Sequence, residues 1–232
     1  MFGPMLASAA STGQQDGSME SFLDLAGCMQ RIASAGLSAG TSGNASLRTP
    51  EGMRITPSGV APAMLDAGSD VAMRLDGTVL AGNLEPSSEW RMHAAIYAAH
   101  PDAAAIVHCH SRHATALACC GRGIPAFHYM VAVAGGEDIR CAPYALFGSE
   151  ELAQHAVSAL EGRRACLLGN HGQIATGHSL ESALSLAIEV EELAAQYLLA
   201  LSAGGPQHLD DEQMREVMER FAGYGQPQER GA

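Results

Sequence analysis

Residues Ala103 to His110 make an apolar run that closes on His108-Cys109-His110. Ala104, Ala105, Ile106 and Val107 read as a buried strand. Successive strand side chains point to opposite faces, so His108 and His110 share one face and Cys109 takes the other. Residues two apart on a strand have Cα atoms about 6.5 Å apart. Two imidazoles at that separation can converge on one metal ion, which needs each nitrogen about 2.0–2.1 Å away. The same pair also reads as two core histidines with no metal between them.

All thirteen basic residues are Arg, and the chain has no Lys. Schiff-base catalysis and covalent pyridoxal phosphate attachment both need a Lys amine, and the Walker phosphate loop needs its Lys too. If the protein acts on carbonyl compounds, a metal must be the electrophile. The formal net charge of −12 repels a bare nucleic-acid backbone, so no nucleic-acid partner is expected. Any phosphate must be held locally by backbone N–H groups, hydroxyls and a metal. No run of 18 apolar residues exists, so no membrane span is expected. The six cysteines show no C-x-x-C pair and read as reduced thiols of a cytosolic protein, which makes a cytoplasmic location the expectation. No linker interrupts the 232 residues. Residues 1–17 read as a disordered leader without a signal peptide, and residues 18–232 as a single domain.

Ser18 to Ala35 reads as a helix capped by Ser18 and stopped by Gly36, with Phe22, Leu25, Met29 and Ile32 on one face. A glycine and hydroxyl loop, Ser38 to Asn44, leads to strands over Ala45 to Arg48 and Met53 to Thr56. Val71 to Leu75 and Thr78 to Leu80 flank Asp76-Gly77, a strong hairpin signal. Ser87 or Ser88 can cap a helix from about Glu89 to His100. Past the histidine strand, Ser111 to Cys120 reads as a helix, Tyr129 to Val133 as a strand, and Glu150 to Leu160 as a helix. Short strands at Ala165 to Leu168 and Gln173 to Thr176 precede helices at Ser179 to Ala203 and about Asp210 to Phe221. Many short strands joined by hairpins argue for an α/β fold with a largely antiparallel sheet covered by helices on its faces.

A catalytic zinc site has three protein ligands and an open position. His171, just past a short apolar strand and beside Gly172, is the best third imidazole. His93, His100, His113, His155, His178 and His208 read as surface or hydrogen-bonded histidines. Glu89 begins a helix about twenty residues before the histidine strand. It can ligate a metal and serve as a base, or simply complement a helix dipole. Gly43-Asn44, Ser58-Gly59 and Ser87-Ser88 each read as a routine turn or as part of an anion site.

At these residues the chain resembles the class II aldolase/adducin family, and within it the L-fuculose-1-phosphate aldolases most closely. The resemblance runs from about Gly40 to Tyr224. It rests on Gly40-Thr41-Ser42-Gly43-Asn44, Ile55-Thr56-Pro57-Ser58-Gly59, Pro86-Ser87-Ser88-Glu89-Trp90-Arg91, Val107-His108-Cys109-His110, the stretches Ile124 to Met130 and Cys141 to Gly148, and Asn170-His171-Gly172. Asn170 departs from a second His expected in the nearest relatives. The resemblance implies a three-layer α/β/α fold around a mainly antiparallel sheet, assembled as a homotetramer with sites at subunit interfaces. It implies one Zn²⁺ per subunit on Glu89, His108, His110 and His171, with Glu89 also the acid/base. A phosphate pocket from Gly43, Asn44, Ser58, Gly59, Ser87 and Ser88 follows from it. Tyr129 is expected to act as a proton donor in a neighbouring subunit's site, with Phe147 and Tyr224 on the aldehyde side. The implied reaction is cleavage of a ketose 1-phosphate to dihydroxyacetone phosphate and a small aldehyde such as L-lactaldehyde. The alternatives are a methylthioribulose- or deoxyribulose-phosphate aldolase, an L-ribulose-5-phosphate-type 4-epimerase, and a non-enzymatic adducin-like domain.

Overall fold

The computed structural model describes residues 23–222. Among these residues eight strands form one sheet in the order β4-β3-β2-β1-β5-β8-β7-β6. They are β1 (Asn44–Thr49), β2 (Gly52–Ile55), β3 (Val71–Met73), β4 (Val79–Ala81), β5 (Ala105–Cys109), β6 (Cys141–Ala142), β7 (Ala165–Leu168) and β8 (Gly172–Gly177). Every neighbouring pair is antiparallel except β6 with β7. The expected α/β class with a mainly antiparallel sheet is what the chain builds.

Among the described residues six α-helices cover the sheet: α1 (Leu25–Ser34), α2 (Trp90–Ala99), α3 (Arg112–Cys119), α4 (Glu150–Ala159), α5 (Leu180–Ser202) and α6 (Asp211–Ala222). The strand alternation of β5 sorts the core into two. Ala105, Val107 and Cys109 pack with Ile32, Leu117, Val190 and Leu193 from α1, α3 and α5. Ile106 packs on the other face with Met92 and Ile96 of α2 and Leu152 and Ala156 of α4. Each such Ile, Leu or Val side chain contributes about 1.5–3 kcal/mol by leaving water. Arg48 ties the end of α2 to the start of β5: its guanidinium donates to the carbonyls of Tyr97, His100 and Ala103 at 2.7–2.8 Å.

The structure corrects several expectations. The first helix starts at Leu25, not Ser18, because the extended Asp24 caps it with a 2.7 Å bond from Gly27 N–H to its carboxylate. Ser18 and Phe22 lie outside the described residues. Helix α2 is capped by neither Ser87 nor Ser88; Glu89 occupies the cap position without a side-chain cap bond, because its carboxylate turns toward histidines instead. Tyr129 to Val133 is not a strand. Residues Tyr129–Ala134 form a 3₁₀ helix, started by Met130 N–H donating to His128 Nδ1 and ended by Gly135 at φ 93°. Its buried positions, Val131, Ala132 and Ala134, do not alternate as a strand demands. The two-residue β6 went unanticipated, being too short to carry a period. Among the described residues no helix is long and apolar enough to cross a membrane.

Candidate active site

The end of β5 and two chain turns meet at one point. His108 is the penultimate residue of β5, and His110 follows one residue past it. His171 sits in the tight turn between β7 and β8, the strand beside β5. Glu89 enters from the start of α2, on the same face of the sheet as His108. One ligand atom from each of these four residues lies within 4.8 Å of every other. The three imidazole rings stand pairwise at 68–73° with centroids 4.8–4.9 Å apart, like three blades around an axis.

Two glycines make this convergence possible. Gly172 lets the β8 backbone pass over β5: a Cβ there would sit 2.5 Å from the Cys109 carbonyl oxygen and 2.9 Å from His110 Cδ2. Gly43 has φ +85°, and a Cβ on it would sit 2.9 Å from the His108 carbonyl oxygen. Asn170, beside His171, holds a left-handed φ of 54°, a conformation Asn tolerates better than most residues.

The cluster is built around positive charge. His108 Nδ1 donates to the Gln173 carbonyl at 2.8 Å, so His108 Nε2 points the other way, at Glu89 Oε2 3.1 Å off and at His110 Nε2 3.0 Å off. Something positive must lie between such acceptors. A proton on His108 serves in the bare protein, and a cation serves better because it answers all four ligands at once. Burial opposes a charged His108, yet Glu89 outweighs it and raises that imidazole's pKa. Burial and the charge of His108 push His110 and His171 down to about 4. Burial also opposes ionisation of Glu89, but His108, His171 and the Asn44 amide hold its carboxyl well below the usual carboxylate range. Glu89 Oε1 and His171 Nδ1 are buried without a hydrogen-bond partner. Three imidazoles, two of them held neutral, plus one carboxylate suit a divalent transition metal, and the residues fit such an ion.

A cavity of about 340 Å³ opens on this cluster. All six expected anion-site residues line it: Gly43, Asn44, Ser58, Gly59, Ser87 and Ser88. No Arg lines it. Phe147, 62% exposed, stands at its mouth with Tyr144. Thr41, Ser42 and Asn170 also face in, and the sequence reading gave them no role. Tyr129 is elsewhere: half-exposed on the 3₁₀ helix, its ring lies tilted at 31° to His128 with centroids 4.8 Å apart and stacks on Phe221 at 6.4 Å. Tyr224 lies outside the described residues.

Of the other histidines, His113 binds Glu191 and His93 is fully buried within hydrogen bonds. The link of His93 to Glu89 escaped the sequence reading, although their i, i+4 spacing on α2 placed them on one helix face.

Known proteins share this arrangement of sequence and fold. The family model described as the Class II Aldolase and Adducin N-terminal domain matches residues 23–198. A 5-methylthioribulose-1-phosphate/5-deoxyribulose-1-phosphate aldolase of Rhodospirillum rubrum is 50% identical over 196 residues, 84% of this chain and 88% of that protein. An L-fuculose phosphate aldolase of Escherichia coli K12 is 49% identical over 191 residues, 82% of this chain and 88% of that protein. A solved L-fuculose 1-phosphate aldolase superposes with a TM-score of 0.83 at 42% identity, over 85% of this chain and 94% of its own.

Proposed function

Because the chain belongs to the class II aldolase and adducin family, we propose that it cleaves a ketose 1-phosphate to dihydroxyacetone phosphate and a small aldehyde, with zinc as its metal. It is a class II aldolase, a lyase. The observation that carries the proposal is the meeting of Glu89, His108, His110 and His171 beside a cavity wall of hydroxyls and glycine N–H groups. A carbonyl group and a phosphate of one small molecule can reach both parts.

The anion end needs no Lys or Arg. The Ser58, Ser87 and Ser88 hydroxyls can donate to phosphate oxygens, and Gly43 and Gly59 let the backbone approach closely. A divalent cation on the four ligands supplies positive charge beside oxygens that turn negative as the carbon–carbon bond breaks. Cleavage takes a proton from the hydroxyl that becomes the aldehyde oxygen and returns one to the carbon left on the phosphate fragment. We assign the first transfer to Tyr129 of a neighbouring subunit in a homotetramer, which suits its exposure and its distance from its own cavity. The second falls to Glu89, whose Oε1 has no other hydrogen-bond partner. Phe147, with Tyr224, flanks the aldehyde.

Two substrate readings remain within this chemistry. The Escherichia coli relative favours an L-fuculose 1-phosphate-like substrate. The Rhodospirillum rubrum relative favours a 5-methylthio- or 5-deoxyribulose 1-phosphate, and the aromatic mouth formed by Tyr144 and Phe147 suits a methyl or thioether end. Purified protein should be offered all three ketose 1-phosphates, with dihydroxyacetone phosphate as the readout. Release from at least one supports the reading, and the highest kcat/KM names the substrate. No release from any, together with conversion of L-ribulose 5-phosphate to xylulose 5-phosphate, would replace it with an epimerase.

A further inference from the structure

Behind Glu89 lies a line of buried polar side chains that the proposed chemistry leaves without a task. Asn44 Nδ2 lies 3.0 Å from Glu89 Oε2, and Asn44 Oδ1 lies 2.6 Å from His93 Nε2. His93 Nδ1 lies 2.7 Å from Ser46 Oγ, which lies 2.8 Å from the Tyr97 hydroxyl. None of the five residues is more than 6% exposed. The line is zipped between two elements. Asn44 and Ser46, two apart on β1, share a strand face; Glu89, His93 and Tyr97, four apart, share a stripe along α2.

Chemistry fixes the direction of every bond. An ionised Glu89 only accepts, so Asn44 must present its NH₂ to Glu89 and its oxygen to His93. His93 Nε2 must then carry the hydrogen. Burial, reinforced by the charge of His108, pushes His93 down to about 3, so the ring is neutral and its Nδ1 only accepts. Ser46 gives its proton to Nδ1 and in turn accepts one from Tyr97. All four donors point toward Glu89.

The geometry points to His93 as a positioning residue for Glu89: held in its Nε2–H tautomer by Ser46 and Tyr97, it locks the Asn44 amide so that Asn44 fastens Glu89 Oε2 and leaves Oε1 for proton transfer. Without His93 the Asn44 amide can turn over and set its oxygen against Glu89 Oε2. This inference rests on the proposed role of Glu89 as metal ligand and acid/base. It also gives Asn44 a second duty: with its oxygen and one amide hydrogen engaged, its side chain can offer phosphate only the second amide hydrogen.

The test uses the zinc-loaded enzyme and its His93→Leu, His93→Gln and Tyr97→Phe variants. In the wild type, ¹⁵N NMR of the His93 ring, assigned by its loss in His93→Gln, should show a neutral Nε2–H tautomer. Hydrogen-bond partners of metal ligands typically carry about 10- to 100-fold in affinity or activity. Asn44 is such a partner, so His93→Leu, which frees the Asn44 amide, should lower kcat by up to that factor with KM unchanged, and should weaken zinc in competition with a chelator. His93→Gln, whose amide can still donate to Asn44, should recover most of both losses, which a purely packing role would not do. If His93→Leu does not fold, Tyr97→Phe keeps the shape, removes only the last donor, and should lower kcat by a smaller factor with KM unchanged. An Nδ1–H or protonated ring in the wild type overturns the inference, as does a folded His93→Leu, or failing that Tyr97→Phe, with wild-type kcat and zinc affinity. The two readings fail separately. Wild-type protein inert on every ketose 1-phosphate sinks the aldolase assignment but leaves the ring tautomer and zinc competition to judge His93.

Discussion

Asn44 on β1 stands directly opposite His108 on β5. One register of one strand pair therefore places a phosphate-side residue next to a metal-side residue. A slip of β1 by one residue would turn Asn44 to the face of the sheet opposite His108 and break the site in two.

Gly43, the residue before Asn44, should be intolerant of any side chain. Gly43→Ala meets a left-handed φ of +85° and the His108 carbonyl oxygen. The handedness alone costs about 1–2 kcal/mol, and the collision adds to it. Gly121→Ala shares a positive φ of +62° but has open space around it, so it should suffer only the former. Urea melts of the two variants check this; equal losses would show that the close approach at Gly43 carries no weight.

Metal removal should abolish cleavage. Dialysis against EDTA is expected to eliminate activity, and Zn²⁺ should restore it, with one ion per chain by elemental analysis. His110→Ala and His171→Ala should each weaken the ion in chelator competition. Full activity in metal-free protein would contradict the ligand set.

Glu89→Gln preserves shape but removes the base. Its kcat should fall by about 10²–10⁴ while circular dichroism stays unchanged. Tyr129→Phe should also lower kcat and leave metal content intact. Mixing the two inactive variants and refolding them together tests the shared site. Partial recovery is expected if Tyr129 serves a neighbouring subunit, because some sites then pair a wild-type Glu89 with a wild-type Tyr129. No recovery from a mixed oligomer would place Tyr129 outside the chemistry.

Glu191 gives the fold an acid-sensitive joint. From α5 its carboxylate accepts the N–H groups of His113 and Ala114 at 3.0–3.1 Å, capping α3 directly behind the histidine strand. Burial opposes its charge, but the His113 and Ala114 N–H groups, with the Ser111 and His113 side chains, outweigh burial and hold the carboxyl below its ordinary value. A depressed carboxylate stabilises the folded state above its unfolded pKa and loses that contribution as pH falls through the folded one. Glu191→Gln should cost about 0.5–2 kcal/mol at neutral pH. That gap between wild type and variant should narrow below about pH 4.5, the ordinary Glu range. A gap independent of pH would mean the charge does not matter.

Much of the site could be read from the chain because its parts are local. His108 and His110 declare themselves by strand alternation, and the loops Gly43-Asn44, Ser58-Gly59 and Ser87-Ser88 by composition. His110 and the loops line one cavity, and the buried His108 stands behind it in the same ligand cluster. Local patterns misled where local signals compete. Tyr129–Ala134 carries β-branched and aromatic residues yet winds as 3₁₀ helix, since His128 offers a cap and the neighbouring segments Ile124 and Ile139 pair with each other instead. Asp24, nearer the apolar face, caps α1, so that helix begins later than its apolar spacing suggested.

What the sequence alone determined was the periodicity: which residues share a face, which turns need glycine, and that a chain without Lys, if it acts on carbonyl compounds, needs a metal as the electrophile. What only the tertiary structure decided was distance between parts far apart in sequence. Nothing local says that the β7–β8 turn brings His171 to Glu89, or that β1 and α2 close on each other so that Asn44 meets His93. Those contacts exist because two cores, one on each face of the sheet, fix every element's depth and angle at once, and close packing leaves a buried polar chain a single set of partners.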